Sequence, residues 1–356
     1  MDPALESLRT RVREAAAAGT ALRIRGSGSK DFYGATLAGE ILDTTVYAGI
    51  VDYEPTELVL TARAGTSLAA IESAMRARGQ MLAFEPPHFG PAATLGGAIA
   101  AGLSGPRRPY AGAVRDLVLG VTIVDGTGEL LAFGGRVMKN VAGFDVARLM
   151  TGALGTLGVI TEVSLKCLPL PKSEATIAFA MSTDEAIRRV NEWGGQPLPL
   201  SATAHHGGQL HVRLSGAQPA VQSALRKMGG EVVADADAFW ASVREQTHRF
   251  FTAADGRPLW RLSVRSTAPY TDLGSDQFVE WGGALRWIVA GERVDAAQLR
   301  AWAAANGGHA TRFRGGDRGG DVFQPLPATV ASLHAKLKAA FDPRGILNHG
   351  RLAASF

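Results

Sequence analysis

The sequence predicts an α+β protein with two domains of mixed helices and strands. Its 356 residues correspond to about two domains of ordinary size. Amphipathic helical patterns alternate with short strand patterns along the chain, which favours an α+β architecture over an all-helical or all-β one. Glycines cluster between Pro86 and Pro171, and the sequence Pro169-Leu170-Pro171 ends a strand and marks a domain boundary.

A helix, a strand and a glycine loop open the chain. Apolar residues at helical spacing from Leu5 to Ala15 predict an amphipathic helix that ends at Gly19. A short strand over 21–25 then leads into the sequence GSGSK at 26–30. Glycines and hydroxyls directly after a strand favour a loop whose backbone N–H groups surround an anion. The loop is neither a Rossmann fingerprint nor a P-loop, because the spacing of its glycines fits neither motif.

The next predicted elements surround the glycine-rich stretch. We expect a strand over 57–64, a helix between Ser67 and Gly79, and a short helix that begins at Thr94. Alternating residues over 117–124 and 129–133, joined by the turn sequence DGTG, predict a β-hairpin. A short helix begins at Asp145, which we interpret as its cap, and a strand follows over 158–168.

Beyond residue 171, strands and helices alternate without the glycine clustering. Strands are predicted over 176–181, 209–214, 259–265 and 285–290, and helices over 183–193, 217–228 and 295–306. About 140 residues of this kind form one compact domain of ordinary size. A last helix over 327–341 precedes a turn that contains Asn348 and His349.

Composition and charge exclude several classes of protein. The net charge of +4 comes from scattered basic residues, so the chain lacks the basic patch of a nucleic-acid-binding protein. Prolines and glycines interrupt the uncharged stretch from Pro86 to Pro106, which predicts no transmembrane segment. An acidic N-terminal sequence without an apolar run predicts a cytoplasmic protein. The single cysteine, Cys167, allows no iron–sulfur cluster within the chain and fits a buried strand position.

Four motifs carry a resemblance to a known family. They are Ala93–Gly97 (ATLGG), Gly112–Asp116 (GAVRD), Lys139–Asp145 (KNVAGFD) and Gly155–Val163 (GTLGVITEV). The chain resembles the FAD-binding proteins of the vanillyl-alcohol-oxidase type, which share the PCMH-type FAD-binding domain. Within that family, the strings PPHFGPAATLGG and GPRRPYAGAVRD are similar to the FAD-binding subunit of bacterial glycolate oxidase. The resemblance is dense over about 25–171 and returns over about 315–352.

The resemblance implies a fold and a cofactor. Residues 1–171 would form a two-lobed PCMH-type FAD-binding domain, residues 172–312 a smaller, reduced α+β cap domain, and residues 313–356 a C-terminal segment that packs back on the FAD domain. FAD is the implied cofactor. We expect it to be bound non-covalently, because Ser29 and Lys30 stand where some family members attach the flavin through a histidine.

The resemblance also implies the residues that contact FAD. The loop at 26–30 is implied to hold the pyrophosphate, and the N-terminal amides of the helix at Thr94 are expected to meet the phosphates or the ring edge. The implied FAD-binding residues are Arg25, Gly26, Ser27, Gly28, Ser29, Lys30, Pro86, Thr94, Gly96, Gly97, Gly112, Arg115, Asp116, Gly158, Ile160 and Asn348. His349 stands where the family usually has proline, so we expect this turn to be less rigid than in the family.

Candidates for catalysis and metal binding are few. His88 lies beside the implied flavin pocket and is a candidate general base, although we favour a structural or cofactor-lining role. His205 and His211 are able to face one side of a strand, but two imidazoles without a Glu-His pair leave a metal site incomplete. The interpretation that we favour for this segment is the end of an exposed hairpin. We therefore expect no metal. Arg107 and Arg108 are interpreted either as anion-binding residues or as solvated surface.

The function implied by the resemblance is a part in glycolate oxidation. A complex with a related larger FAD subunit and an iron–sulfur subunit would oxidise glycolate to glyoxylate, while this chain binds FAD and relays electrons. Small 2-hydroxy acids are then substrates of the complex, and any membrane association is expected through the partner subunits. Two alternatives stay open: a stand-alone FAD-dependent 2-hydroxy-acid dehydrogenase, and a structural subunit whose flavin takes no part in redox chemistry. The cell-wall reductase that shares the fold is a less favoured third.

Overall fold

The structure, a computed structural model, describes residues 2–36, 38–135, 145–291, 294–319 and 322–353. The chain divides into two units. The first contains Met1–Leu103, Ala113–Pro169 and Arg318–Phe356, and the second contains Ser104–Gly112 and Leu170–Asp317. The second unit therefore includes Ser104–Gly112, a part of the glycine-rich stretch that the sequence analysis assigned to the first domain. The roles assigned to the domains stay predictions.

Helices occur in both units. Within the described residues the α-helices are α1 (Pro3–Ala18), α2 (Leu68–Arg76), α3 (Leu95–Ala101), α4 (Arg108–Ala111), α5 (Val114–Leu117), α6 (Val146–Met150), α7 (Thr183–Gly194), α8 (Gln218–Met228), α9 (Ala236–Arg244), α10 (Arg249–Thr252), α11 (Ala296–Ala305) and α12 (Ala328–Phe341). The predicted helices are confirmed at α1, α2, α3, α6, α7, α8, α11 and α12. In this part of the chain no helix has the length and apolar character needed to span a membrane.

Strands are more numerous than the sequence predicted. In chain order they are β1 (Leu22–Arg25), β2 (Glu40–Asp43), β3 (Ile50–Glu54), β4 (Val59–Arg63), β5 (Gln80–Met81), β6 (Val118–Val124), β7 (Leu130–Gly134), β8 (Val159–Lys166), β9 (Leu168–Pro169), β10 (Ser173–Ala180), β11 (Leu200–His206), β12 (Gln209–Gly216), β13 (Glu231–Val232), β14 (Leu259–Ser263), β15 (Gln277–Glu280), β16 (Leu285–Val289) and β17 (His309–Arg314). The predicted strands are confirmed at β1, β4, β6, β7, β8, β10, β12, β14 and β16.

The first unit is organised around a five-stranded antiparallel sheet with the strand order β3-β4-β8-β6-β7. Strands β6 and β7 form the predicted hairpin, in whose turn the Asp125 carboxylate accepts hydrogen bonds from the N–H groups of Thr127 and Glu129. Helix α1 belongs to a second core of this unit, next to the parallel pair β1 and β2. That core contains Val12 from α1 and Leu347 from the C-terminal segment.

Local side chains cap three helices. Asp2, Thr94 and Asp145 each accept a hydrogen bond from a backbone N–H two or three residues further on, at the starts of α1, α3 and α6. The chain leaves α1 through Gly19, whose φ of 68° suits glycine. The helix start at Thr94, the cap at Asp145 and the helix end at Gly19 were predicted, because they depend on residues close in sequence, whereas the cap at Asp2 was not.

The second unit is built on one eight-stranded antiparallel sheet, in the order β13-β10-β12-β11-β15-β16-β14-β17. Helices α7 and α8 cover one half of the sheet in a core that contains Val190. Helix α11 covers the other half, around Leu262 and Ile288. The opposite face of β15 and β16 carries Phe278 and Trp287, which both pack on a ring from α10.

The elements that the sequence missed lack a periodic pattern. Most side chains of β2 and β3 are exposed, whereas all four of β15 and the first six of β11 are buried. None of these strands alternates between buried and exposed residues, so the rule that recognises strands failed there. Helices α4, α5 and α10 have four residues each, too few to show helical periodicity.

Candidate cofactor site

A cavity opens in the first unit beside β1. Its walls are the loop after β1, the first turns of α3, the segment before β8 and the C-terminal segment. The lining residues are Arg23, Ile24, Arg25, Gly26, Ser27, Gly28, Ser29, Lys30, Asp31, Thr44, Thr94, Gly96, Gly97, Ala100, Ala101, Leu154, Gly155, Gly158, Ile160, Asn348 and Arg351. Four segments that are distant in the chain therefore meet around one site.

The loop at 26–30 forms the wall that suits an anion. In the described part of the chain, the N–H groups of Ser27, Gly28 and Ser29 donate to no protein acceptor. Successive unused amides in a turn form a concave site for phosphate oxygens. A Cβ added at Gly26 would lie 2.4 Å from the Thr94 hydroxyl, so glycine is required for the loop to come this close to α3.

Two adjacent glycines of α3 have different roles. A Cβ added at Gly96 would lie 2.8 Å from the Cβ of Ala64, so this glycine allows α3 to pack against the end of β4. A Cβ added at Gly97 would meet only the Thr94 hydroxyl, at 3.1 Å. Because Gly97 also lines the cavity, its missing side chain leaves space for a ligand rather than for another part of the protein.

The N-terminal amides of α3 are already used by the protein. The N–H groups of Leu95 and Gly96 donate to the carbonyl oxygens of Thr66 and Ala64, at 2.9 and 2.8 Å. The third amide donates to the capping hydroxyl of Thr94 at 3.3 Å. The expectation that these amides meet the phosphates or the ring edge is therefore wrong. Gly96, Gly97, Ala100 and Ala101 of α3 nevertheless line the cavity.

Basic residues outnumber acidic residues in the lining. Among the described lining residues, Arg23, Arg25, Lys30 and Arg351 are basic and Asp31 is the one carboxylate. The Asp31 carboxylate accepts hydrogen bonds from Arg25 at 2.7 Å and Arg23 at 2.9 Å, which fixes both guanidinium groups. Burial lowers the pKa of Arg351 to about 10, so this side chain stays protonated at neutral pH. The surplus of positive charge suits a ligand with phosphate groups.

Asn348 joins three segments at the opposite wall. Its side-chain oxygen accepts a hydrogen bond from the N–H of Ile24 at 2.8 Å, and its side-chain nitrogen donates to the carbonyl oxygen of Leu154 at 2.6 Å. Its backbone N–H donates to Leu22 at 3.0 Å. A Cβ added at Gly155 would lie 2.7 Å from the Asn348 amide nitrogen. These bonds immobilise the turn, although the residue after Asn348 is not proline.

The cavity brings together most of the predicted FAD-binding residues. Its lining includes Arg25, Gly26, Ser27, Gly28, Ser29, Lys30, Thr94, Gly96, Gly97, Gly158, Ile160 and Asn348. Pro86, Gly112, Arg115 and Asp116 lie outside the lining. Asp116 accepts a hydrogen bond from the N–H of Ala113 at 2.9 Å and so caps α5, while Arg115 is exposed. Contact with FAD stays a prediction for all of these residues.

Several lining residues were missed by sequence reasoning. They are Arg23, Ile24, Asp31, Thr44, Ala100, Ala101, Leu154, Gly155 and Arg351. A signal existed for Arg23, because it shares one face of β1 with Arg25 directly before the glycine loop. No local pattern marks Arg351, which is held at the cavity by a 2.7 Å hydrogen bond to the carbonyl oxygen of Ala35. The motif residues 139–144 lie outside the described residues.

The candidate base His88 is not part of the lining. Its Nε2 lies 3.2 Å from a carboxylate oxygen of Glu72, and its backbone carbonyl accepts a hydrogen bond from the Lys30 ammonium group at 3.2 Å. The second contact positions a lysine of the cavity wall, which fits the structural role favoured above. A catalytic role for His88 stays a prediction.

Arg107, Arg108 and Cys167 make contacts within the protein. In the second unit, Arg107 forms a 2.8 Å ion pair with Glu174, and the Arg108 guanidinium lies 4.5 Å from the centre of the Trp281 ring. Cys167 is fully buried, and burial raises the pKa of its thiol to about 12. The interpretation of Cys167 as a small buried side chain is confirmed, although it lies between β8 and β9 rather than inside a strand.

His205 and His211 lie on neighbouring strands, and the expectation that they face one side of a single strand is wrong. In the hairpin of β11 and β12, His205 pairs with Leu210, so His205 and His211 point to opposite faces. His205 contacts the carbonyl oxygen of Met181 at 3.0 Å, and His211 stacks on Phe239. Burial lowers the pKa of both imidazoles. Among the described residues, no group of three or more His, Cys, Asp or Glu is placed to hold a metal ion.

The cavity fits FAD. The unused amides of the loop and the arginines beside it suit a pyrophosphate, while the glycine at 97 leaves room for a ligand beside α3. Fold and site together define an FAD-binding protein. The family described as "FAD binding domain" matches residues 4–134. FAD is the cofactor of this chain.

Comparison with known proteins identifies the family. The glycolate oxidase subunit GlcE of Escherichia coli (strain K12) is 46% identical over 349 residues, which cover 98% of this chain and 97% of that protein. The chain belongs to this family of glycolate oxidase subunits, and the resemblance found in the sequence is confirmed. The subunit GlcD of Bacillus subtilis (strain 168) is 30% identical over 171 residues, 47% of this chain and 36% of that protein.

Two further comparisons concern an enzyme and a fold. The D-lactate dehydrogenase of Anaerostipes hadrus is 36% identical over 135 residues, 38% of this chain and 28% of that protein. A solved structure of alkyldihydroxyacetonephosphate synthase has a TM-score of 0.65 and 14% identity, and the match covers 96% of this chain and 74% of the other. The structural likeness shows the fold, so the predicted α+β, PCMH-type fold class is confirmed.

Proposed function

We propose that this chain is the FAD-binding subunit of a glycolate oxidase complex that oxidises glycolate to glyoxylate, and that it relays electrons within the complex. One observation carries the proposal. A cationic cavity with glycine walls lies in a chain that matches a glycolate oxidase subunit over nearly its whole length. FAD, when bound, supplies the hydride and electron chemistry that amino-acid side chains lack.

The residues of the cavity bind and orient the cofactor. The amides at 27–29 would donate hydrogen bonds to the pyrophosphate oxygens, while Arg23 and Arg25 would neutralise its charge from one face of β1. Asp31 holds these two guanidinium groups in place through its 2.7 and 2.9 Å contacts. Ser29 and Lys30 offer no imidazole for a covalent bond to the flavin, so the cofactor is held non-covalently.

Asn348 acts as a positioning residue. Both polar atoms of its side chain are used by Ile24 and Leu154, so it holds two walls of the cavity together rather than donating to the cofactor. Burial of this side chain, which is 4% exposed, keeps water away from those hydrogen bonds. The cofactor site therefore depends on the C-terminal segment.

Electrons leave this chain through another protein. With one cysteine, which is buried and protonated, the chain offers no ligand set for an iron–sulfur cluster. The proposal therefore includes a related larger flavoprotein subunit, where the hydroxy acid reacts, and an iron–sulfur subunit that accepts electrons. The similarity to GlcD, named as a subunit of the same kind of oxidase, supports the first of these partners.

The first alternative is that this chain oxidises hydroxy acids without a partner subunit. The similarity to the D-lactate dehydrogenase covers 28% of that enzyme, so the properties of its remaining part do not carry over to this chain. The second alternative, a structural subunit whose flavin takes no part in redox chemistry, is consistent with the same cavity. Both alternatives require an experiment.

The test compares the chain alone with the assembled complex. With glycolate or D-lactate and a dye acceptor, we expect the isolated chain to turn over far below the ~10 per second of an ordinary enzyme, and the complex to reach that range. A complex assembled with a flavin-free Gly97→Val chain should lose most of this activity. Full activity from the isolated chain would establish the stand-alone dehydrogenase, and full activity from the flavin-free complex would establish the structural role.

A further inference from the structure

Helix α12 exposes most of its apolar side chains. Lys338 is its one buried residue. Leu326, just before the helix, is 44% exposed, while Val330 and Leu333 are 37% and 55% exposed. Single exposed leucines are common on protein surfaces, but several together on one short segment indicate an interaction surface.

Apolar side chains follow one side of the helix and continue just before its start. Val330, Leu333 and the half-buried Leu337 follow one another at intervals of three and four residues within α12, and the exposed Leu326 lies two residues before the helix. This spacing places side chains on one face of a helix, the face that normally packs against another apolar surface. We call these four residues the α12 stripe.

The first unit holds α12 by its C-terminal turn instead of by the stripe. The Lys338 ammonium group lies 2.7 Å from the Asp342 carboxylate and donates to the carbonyl oxygen of Thr156 at 2.8 Å. The ring of Phe341 packs edge-on against Phe133, with 6.2 Å between centroids. The stripe is therefore not needed to attach the helix and is available for another surface.

The exposed charges of the C-terminal segment that contains the stripe are positive. Residues 322–353 contain a single carboxylate, Asp342, which is 1% exposed and paired with Lys338. Lys336 and Arg344 are exposed. A surface that complements this one is apolar at its centre and carries carboxylates at its border.

We propose that α12 docks into an apolar groove, bordered by carboxylates, on a partner subunit of the oxidase. The proposal rests on the proposed function, because it requires a partner. Aliphatic residues on one helix face are the anchors of helix-in-groove recognition, and a basic border sets the orientation. A lipid surface is the weaker fit: helices that lie on membranes carry several basic residues on their polar face, and here Lys336 is the one exposed lysine of the helix.

The test measures assembly of the complete oxidase. The tagged chain is combined with the larger flavoprotein subunit and the third subunit of the same oxidase, and the Kd is measured at several salt concentrations. We expect Leu333→Asp to weaken assembly about tenfold or more. Lys336→Glu should weaken it and flatten its salt dependence. Val232→Asp is the matched control, because Val232 is 62% exposed on β13 in the second unit.

The outcomes separate this proposal from the proposed function. All three substitutions are at exposed positions, so Tm and FAD content should stay unchanged and show that the variants fold. If the wild-type chain does not assemble, the proposed function fails. If the wild type assembles and Leu333→Asp assembles equally well, the docking proposal is overturned and the function stands. The variants are also tested for binding to vesicles of phosphatidylcholine and phosphatidylglycerol. If Leu333→Asp abolishes vesicle binding but leaves assembly unchanged, the stripe binds a membrane and the docking proposal is overturned.

Discussion

The side-chain oxygen of Asn348 accepts a hydrogen bond from the N–H of Ile24, 324 residues earlier in the chain, at 2.8 Å. The same side chain donates to the carbonyl oxygen of Leu154 at 2.6 Å. Two walls of the cofactor cavity are thus connected through a residue of the C-terminal segment. Binding of FAD should therefore respond to changes far from the glycine loop.

Asn348→Asp tests this connection. The substitution keeps an acceptor for Ile24 but removes the donor to Leu154, leaving a buried carbonyl oxygen unpaired, which costs about 1–3 kcal/mol. We expect a lower Tm and weaker FAD binding, measured by calorimetry and by flavin fluorescence titration. His349→Ala, at the exposed neighbouring residue, is the control and should change neither quantity. Wild-type FAD affinity in Asn348→Asp would show that this bond does not hold the wall.

Gly97→Val should remove FAD with little effect on the fold. The added side chain meets only the Thr94 hydroxyl within the protein and otherwise occupies space in the cavity. We expect FAD affinity to fall about tenfold or more while the Tm of the FAD-free protein changes little. Gly96→Ala is the contrasting variant, because its Cβ would overlap Ala64 and destabilise the protein by about 1–3 kcal/mol. Equal flavin content in Gly97→Val and the wild type would place the cofactor elsewhere.

The flavin should be released from the chain by acid or heat. The purified protein is expected to be yellow with about one FAD per chain, because Ser29 and Lys30 provide no histidine for covalent attachment. The measurement is the absorbance of the supernatant after precipitation of the protein. Flavin that stays with the precipitated chain contradicts non-covalent binding, whereas a colourless protein that does not take up added FAD contradicts the assignment of the cavity.

Lys338→Met should destabilise the first unit strongly. It removes the cation that pairs with the fully buried Asp342 carboxylate at 2.7 Å and leaves that charge uncompensated. Breaking a buried ion pair from one side costs about 3–5 kcal/mol. Lys336→Met, on the exposed side of the same helix, is the control and should cost less than about 0.5 kcal/mol. Urea denaturation measures both, and equal midpoints would mean that the buried pair contributes nothing to stability.

Stability should decrease as the pH falls from about 6.5 to about 4. Burial lowers the pKa of His248 to about 4, from an ordinary value of 6.5, and nearby His206 adds to the effect. The unfolded chain therefore takes up a proton in this range before the folded chain does, which favours unfolding. His248→Asn keeps an acceptor for the N–H of Phe250 at the start of α10 but removes the titrating ring.

The free energy of unfolding of His248→Asn should depend less steeply on pH between 6.5 and 4 than that of the wild type. Some dependence will remain, because burial also lowers the pKa of His211. Urea denaturation at several pH values gives the two slopes. Identical slopes would show that His248 does not titrate differently in the folded and unfolded chain.

Features that depend on neighbouring residues were predictable from the sequence. The caps of α3 and α6, the Asp125 turn of the hairpin and the glycine loop at 26–30 all depend on residues within a few positions of the backbone groups concerned. The spacing of His205 and His211 suggested one face of a single strand. This was wrong, because a turn separates β11 from β12 and the two residues lie on different strands. Strands such as β15, buried on both faces, had no alternation to reveal them.

The sequence by itself determined the fold class, the family and most residues around the cavity, since short motifs and helical or strand spacing are local properties. The tertiary structure alone decided how those residues are used. In the folded chain, amides of α3 donate hydrogen bonds to the carbonyl oxygens of Thr66 and Ala64, and Arg351 of the C-terminal segment lies at the cavity. The tertiary structure also left Leu326, Val330 and Leu333 of the α12 stripe exposed, while Lys338 became buried. These outcomes depend on which distant segments meet in the folded chain, and no pattern within a few residues encodes that.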